Sequence, residues 1–162
     1  PKSMSLWYGL DRWKKFQGIQ LGQYDFVLLN RFTLSSAVYQ SIRIEDLVER
    51  KTMMKWVLDF EHRQLGLPIP DIYIVFDITP DRSFENIQQK GHRSYIGEGA
   101  DIYESSNEIM YKAREAYLQA AELFDNVVVM NCLVAELGKM KKQEIIHEEV
   151  VEILKNRGIL DK

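Results

Sequence analysis

Three short apolar runs, spaced along the chain between longer amphipathic segments, constrain the fold of this protein most strongly. They lie within residues 26–29, 71–77 and 127–130. A strand with one face in water alternates apolar and polar residues, so an uninterrupted apolar run indicates a strand that is buried on both faces. Because helical segments separate the three runs, the sequence predicts an α/β fold in which helices cover both faces of a parallel sheet.

Amphipathic helices account for most of the remaining chain. Apolar residues recur at three- and four-residue spacing in five segments, which predicts helices at 3–16, 34–42, 45–64, 105–124 and 143–157. A further helix is predicted to begin at Thr79-Pro80, because threonine caps helices and proline suits the first helical position. Glycines at 91, 97 and 99 predict a mobile loop over 90–104. We find no internal repeat or interdomain linker, so residues 1–162 are predicted to form a single domain.

Composition excludes several classes of protein. Hydrophobic residues make up 46% and charged residues 28% of the chain, as in globular proteins. No apolar run approaches the roughly 18–20 residues that a membrane span needs, and a net charge of -3 gives no general surface for nucleic acid. The single cysteine, Cys132, excludes a disulfide within the chain and indicates a reducing, cytoplasmic compartment. The three histidines lack cysteine neighbours at the spacing of a structural zinc site.

Polar residues follow each predicted strand, where ligands of parallel sheets bind. These strand ends are Asn30-Arg31, Asp77 and Asn131-Cys132. The strongest signal is Arg31, because small hydroxyl residues follow it on the next turn and a guanidinium offers phosphate a rigid fork of donors. The segment therefore predicts an anion site. The alternative is a surface arginine that precedes hydroxyl caps of the next helix.

The segment 30–40 resembles the Asp-Arg-Tyr…Ser-x-x-Ala-Tyr-Gln motif of thymidylate kinases, which phosphorylate dTMP with ATP. Residues 8–12 resemble the family's aromatic-x-x-[Asp/Asn]-Arg segment, and residues 70–80 resemble its Pro-Asp…Leu-Asp-x-x-Pro segment. Residues 101–104, with Arg114 and Tyr117 on the next helix, resemble the segment that follows the family's lid. The four matches occur in the family's order across nearly all of the chain, which implies a P-loop kinase fold with a lid at about 90–104.

The resemblance implies a role for several residues around the acceptor. Tyr8 would stack on the thymine ring, Arg12 would hold the monophosphate, and Arg31 would bind phosphate near the point of transfer. The other dTMP-binding positions that the resemblance implies are Ser35, Ser36, Gln40, Tyr103 and Glu104, with Ser36 and Gln40 at the base and Tyr103 against the deoxyribose.

The donor side is implied in the same way. Arg93 lies in the presumed lid, where it would reach the ATP phosphates, and with Arg31 it forms the implied catalytic pair. Phosphoryl transfer depends mostly on positioning and charge neutralisation, which arginines supply. The implied cofactors are ATP and Mg²⁺, the ion held through the nucleotide without a certain protein ligand. The family also implies a homodimer with small-molecule nucleotides as its other partners.

Two features depart from the family pattern. Asn30 replaces the usual aspartate, and an amide brings no negative charge for a metal ion or proton. These 162 residues also contain no phosphate-binding loop, because the only Gly-Lys pair, Gly138-Lys139, precedes Met140. The resemblance therefore implies an N-terminally incomplete kinase domain without its first strand. We expect the 162 residues alone neither to form a stable intact kinase domain nor to phosphorylate dTMP, unless preceding sequence or another chain fills the gap.

Two alternatives to a thymidylate kinase remain open at this point. One is a deoxynucleoside kinase or a kinase for another pyrimidine monophosphate. Arginines at 12 and 31 favour a phosphate-bearing acceptor over a free nucleoside. The other is a non-catalytic nucleotide-binding or regulatory domain on a degenerate kinase fold, which Asn30 and the missing loop favour.

Overall fold

A computed structural model of the chain describes residues 1–83, 107–134 and 138–160. It divides into two compact units, Pro1–Pro70 and Asp71–Lys162. Each unit has its own secondary structure and is described by itself. The expected lid at about 90–104 lies outside the described residues, and the assignment of the whole chain to one domain stays a prediction.

The first unit is helical. Its elements are helix α1 (Lys2–Phe16), a 3-10 turn (Leu21–Gln23), helix α2 (Phe32–Ser41), helix α3 (Leu47–Asp59) and a π-helical turn (Phe60–Gln64). Asp46 caps α3, because its carboxylate accepts hydrogen bonds from the backbone N–H groups of Val48 and Glu49 at 2.9 and 2.8 Å. Helix α2 is the centre of the unit, since nine of its ten residues are buried. The helices predicted at 3–16, 34–42 and 45–64 are thus confirmed, with small shifts at their ends.

The strand predicted at 26–29 is wrong. These residues have no regular secondary structure, and their exposure ranges from 41% at Leu29 to 93% at Leu28. A strand exists only when a neighbouring chain segment accepts and donates its backbone hydrogen bonds. No described segment pairs with residues 26–29, so the apolar run that predicted burial lies in water instead.

The second unit contains the sheet. Strands β1 (Tyr73–Asp77) and β2 (Val127–Asn131) pair in parallel, in register from Tyr73 opposite Val127 to Asp77 opposite Asn131. Helix α4 (Asn107–Leu123) precedes β2, and helix α5 (Gln143–Asn156) follows it. Residues 80–83 are helical, as the Thr79-Pro80 start predicts. The parallel sheet and these helices are confirmed, although the described sheet has two strands rather than three.

None of the helices in the described ranges is both long and apolar enough to cross a bilayer.

Gly9 lets α1 approach the π-helical turn closely. A Cβ at this buried position would lie 2.9 Å from Cε1 of Phe60 and 3.2 Å from a methyl carbon of Leu65. We expect Gly9→Ala to lower the free energy of unfolding by up to about 2 kcal/mol, because the roughly 1–3 kcal/mol cost of overpacking exceeds the ~1 kcal/mol gain in helix propensity. Chemical denaturation measures the change. Gly22→Ala is the control, since a Cβ there meets no atom within 4 Å; an equal or greater stability of Gly9→Ala would contradict the close approach.

Candidate functional site

Arg12 is held by a buried carboxylate. Its Nε donates to Oε2 of Glu61 at 2.7 Å, and Nη2 donates to Oε1 of the same carboxylate at 3.0 Å and to Oγ of Ser36 at 2.5 Å. The Glu61 side chain is fully buried, whereas that of Arg12 is 20% exposed. Phe32 lies beneath the guanidinium, with 5.9 Å between its ring centroid and Cζ. This bidentate pair fixes the orientation of Arg12 on one side and leaves Nη1 without a hydrogen bond to any described residue.

The π-helical turn presents two consecutive side chains to the neighbouring helices. The N–H of Leu65 donates to the carbonyl of Phe60 at 3.0 Å, a wider ring than in an α-helix. Glu61 reaches Arg12 of α1, and the next residue, His62, has Nε2 3.0 Å from the hydroxyl oxygen of Thr33 in α2. Nδ1 of His62 donates to the carbonyl of Leu67 at 3.2 Å. The turn therefore ties α1 and α2 together at the point where the candidate residues lie.

Arg31 occupies a strained backbone conformation at the start of α2. Its φ and ψ are 65° and -47°, and the N–H of Phe32 donates to the carbonyl of Asn30 at 2.8 Å. These values describe a γ-turn of the rare, strained form with positive φ. Nε of Arg31 donates to Oγ of Ser35 at 3.1 Å, and the guanidinium lies over the ring of Tyr39, with 4.8 Å between Cζ and the ring centroid. Arg31 therefore combines a strained backbone with a side chain that Ser35 and Tyr39 of α2 hold in position.

The strain at Arg31 predicts which of two variants is the more stable. Both Arg31→Gly and Arg31→Ala remove the guanidinium, but only glycine adopts a positive φ without steric penalty. We expect Arg31→Gly to be more stable than Arg31→Ala by about 1 kcal/mol. Denaturation curves of the two variants measure the difference. A more stable alanine variant would show that the γ-turn is not strained.

Gln40 places an unpaired polar atom within α2. The residue is 3% exposed, and among the described residues nothing donates a hydrogen bond to its Oε1. Gln40 lies one turn after Ser36, so the two residues share a helix face with the contact to Arg12. Buried polar atoms are nearly always hydrogen-bonded, so Oε1 of Gln40 requires a donor from outside the described residues, such as a water molecule or a bound ligand.

The first unit contains six of the predicted site residues. Tyr8 is 43% exposed, so part of its side chain is accessible to solvent. Through α2 the structure brings Arg12 to Ser36 and Arg31 to Ser35. Within the described part of the chain, no hydrogen bond links the phenol of Tyr8 to these pairs. Arg93, Tyr103 and Glu104 lie outside the described residues, so their assignments stay predictions.

In the second unit the two strand ends lie at one edge of the sheet, as predicted. Asp77 pairs in register with Asn131. Arg114 of α4 donates hydrogen bonds from Nε and Nη2 to the two carboxylate oxygens of Asp77, at 2.6 and 2.8 Å. These hydrogen bonds raise the pKa of Arg114. One turn earlier, the Tyr111 hydroxyl donates to Asp81 at 2.9 Å, which raises the pKa of Tyr111. Arg114 thus forms an ion pair with Asp77 at this edge of the sheet.

The carboxylates here do not fit a protein-held magnesium site. Both oxygens of Asp77 accept from Arg114, and Mg²⁺ prefers carboxylate and water oxygens without a competing cation. Within the described ranges, no three acidic, histidine or cysteine side chains are grouped as metal ligands.

Glu61 is the residue that the sequence analysis missed. The sequence does indicate that Glu61 is buried. It follows Met54 by seven residues and Val57 by four, which places it on the apolar face of the segment 45–64. A charged residue at a buried helical position requires a partner of opposite charge. The sequence does not identify which of its many basic residues that partner is.

Comparison with known proteins agrees with the motif analysis. The chain is similar to thymidylate kinases. Over 122 residues it is 29% identical to the thymidylate kinases of two Mycobacterium tuberculosis strains, CDC 1551 / Oshkosh and H37Rv, covering 74% of this chain and 56% of each relative. The chain thus spans about half the length of the curated relatives it matches. No family model matches it, and neither does any solved structure.

Proposed function

We propose that this chain is the acceptor-binding part of a thymidylate-kinase-like enzyme, which transfers the γ-phosphate of ATP to dTMP to give dTDP for dTTP synthesis. One observation carries the proposal. Helix α2 arranges the motif residues in two contacts, Arg31 with Ser35 and Arg12 with Ser36, and adds the unpaired Oε1 of Gln40 on the face of Ser36. The similarity to thymidylate kinases supports the choice of acceptor.

The charges of the two arginines favour Arg31 as the principal phosphate ligand. In the described residues Arg31 contacts a hydroxyl and an aromatic ring, neither of which cancels its charge. The charge of Arg12 is cancelled by Glu61. Arg12 is therefore a weaker phosphate ligand than the family resemblance implies. We assign the phosphate to Arg31 and leave Arg12, Ser36 and Gln40 to the nucleoside, with Tyr8 as the stacking surface.

The donor side of the proposal rests on the resemblance. ATP with Mg²⁺ would supply the phosphoryl group and its charge neutralisation. Arg93 would contact the ATP phosphates, and Tyr103 with Glu104 would contact the sugar of the acceptor. A homodimer and a cytoplasmic location belong to the same proposal.

Binding rather than turnover tests the acceptor site, because phosphoryl transfer also requires a phosphate-binding loop. We expect isothermal titration calorimetry to give a dTMP affinity at least about tenfold above those of dAMP and inorganic phosphate, since both the base and the phosphate are recognised. The matched ligands are thymidine, which lacks the phosphate, and dUMP, which lacks the methyl group. No detectable dTMP binding, or binding equal to that of inorganic phosphate, would overturn the proposal.

A second candidate is a non-catalytic nucleotide-binding domain. Two observations favour it: the amide of Asn30 in place of a carboxylate, and the occupation of Asp77 by Arg114. The two functions predict the same dTMP binding and differ in transfer. A protein that carries this chain, binds dTMP and yields no dTDP from Mg·ATP would support the non-catalytic function.

A further inference from the structure

We propose that Glu61 is a specificity-determining positioning residue, which holds the guanidinium of Arg12 against Ser36 and cancels its charge so that this end of the site does not attract anions. The inference rests on the proposed function, since it concerns the same acceptor site. Neither the motif resemblance nor the comparison with thymidylate kinases assigns a role to this residue.

The hydrogen-bond geometry supports a role for Glu61 in positioning the Arg12 guanidinium. Glu61 engages two nitrogens of Arg12, at 2.7 and 3.0 Å, and the same Nη2 that contacts the carboxylate also donates to Ser36. A bidentate pair of this kind fixes the guanidinium plane as well as its distance. Arg12 therefore has one orientation, which aims its remaining nitrogen, Nη1, away from Glu61.

The burial of Glu61 supports its role in cancelling the charge of Arg12. The Glu61 side chain has no solvent exposure, so water does not screen its interaction with Arg12. A phosphate group near Arg12 would meet a pair with no net charge and a carboxylate within a few ångströms. Arg31 has no acidic neighbour in its described contacts. The site therefore separates into an end that attracts anions and an end that does not.

Helix α3 offers a matched control. Asp59 lies two residues before Glu61 and pairs with Arg63 at 3.4 Å, but this pair is exposed, with side-chain exposures of 44% and 82%. Asp59→Asn and Glu61→Gln make the same change of charge on neighbouring positions. Only Glu61→Gln removes a carboxylate from Arg12.

The test measures two probes with opposite expected changes. In Glu61→Gln we expect the affinity for inorganic phosphate to rise about fivefold at low salt, because the charge of Arg12 is no longer cancelled. The affinity for uncharged thymidine is expected to fall about tenfold, because Arg12 is no longer held in one orientation. The gain for phosphate is expected to disappear at high salt, where charges at the protein surface are screened. Asp59→Asn is expected to change neither affinity by more than about twofold.

Further variants keep the test decisive. Glu61→Asp retains the charge, so its phosphate affinity is expected to match that of the wild type even if its shorter side chain weakens thymidine binding. A fall in both affinities of Glu61→Gln by the same factor would indicate a structural role and overturn the inference, as would a phosphate gain in Glu61→Asp. If the wild type binds neither thymidine nor dTMP, the proposed function fails, while the phosphate measurements still decide whether Glu61 cancels the charge of Arg12.

Discussion

Replacing Arg12 with methionine is expected to lower the free energy of unfolding by about 2–4 kcal/mol, a large part of the ~5–15 kcal/mol that stabilises a typical domain. Methionine keeps the aliphatic length of the side chain, so the loss does not come from a cavity. It comes mainly from Glu61, which is fully buried and loses the only ion pair described for it, and in smaller part from Ser36, which loses the hydrogen bond from Arg12. Urea denaturation of the purified protein measures the change.

Two comparisons separate this charge effect from a general loss of packing. Arg63→Met removes the exposed pair with Asp59, and we expect it to change stability by less than about 0.5 kcal/mol. The double variant Arg12→Met/Glu61→Leu removes both members of the ion pair, so it is expected to be more stable than Arg12→Met alone. A double variant that is less stable than the single one would show that Glu61 does not depend on Arg12.

Replacing Arg31 with alanine is expected to weaken dTMP binding by about 10- to 150-fold, the range that corresponds to the 1.5–3 kcal/mol of a hydrogen bond to a charged group. Thymidine binding is expected to change by less than about threefold, because thymidine has no phosphate for the guanidinium to contact. Calorimetric titration of both ligands into the wild type and the variant measures the two ratios.

Lys14→Ala is the charge-matched control for Arg31→Ala. Lys14 is an exposed cation on α1, so its removal changes the net charge equally without touching α2. We expect it to weaken dTMP binding by less than about twofold. An equal loss of dTMP and thymidine affinity in Arg31→Ala would instead assign Arg31 to the folding of α2.

Much of the local structure follows from the order of apolar and polar residues. The periodicity of 3–16 predicts α1, and the run 71–77 predicts β1, because helices and strands expose different repeats of side chains to their surroundings. The carboxyl ends of β1 and β2 lie side by side, as a parallel sheet requires. The motif residues Arg31 and Ser35 are four positions apart, but Arg31 precedes α2 in a γ-turn, so their contact also depends on the strained backbone at Arg31.

Contacts between distant residues and the pairing of strands were decided by the tertiary structure. Residues 26–29 have the composition of a buried strand, yet no described segment supplies their backbone hydrogen bonds, and composition cannot supply a neighbour. The pair of Arg12 with Glu61 joins residues 49 positions apart. It depends on the π-helical turn that directs Glu61 towards α1, and on the packing of α1 beside that turn. The sequence alone determined which residues carry charge and which segments become helices. The fold determined that Glu61 pairs with Arg12 and that Arg31 has no acidic partner among the described residues, because the effect of a charge depends on its neighbours in space.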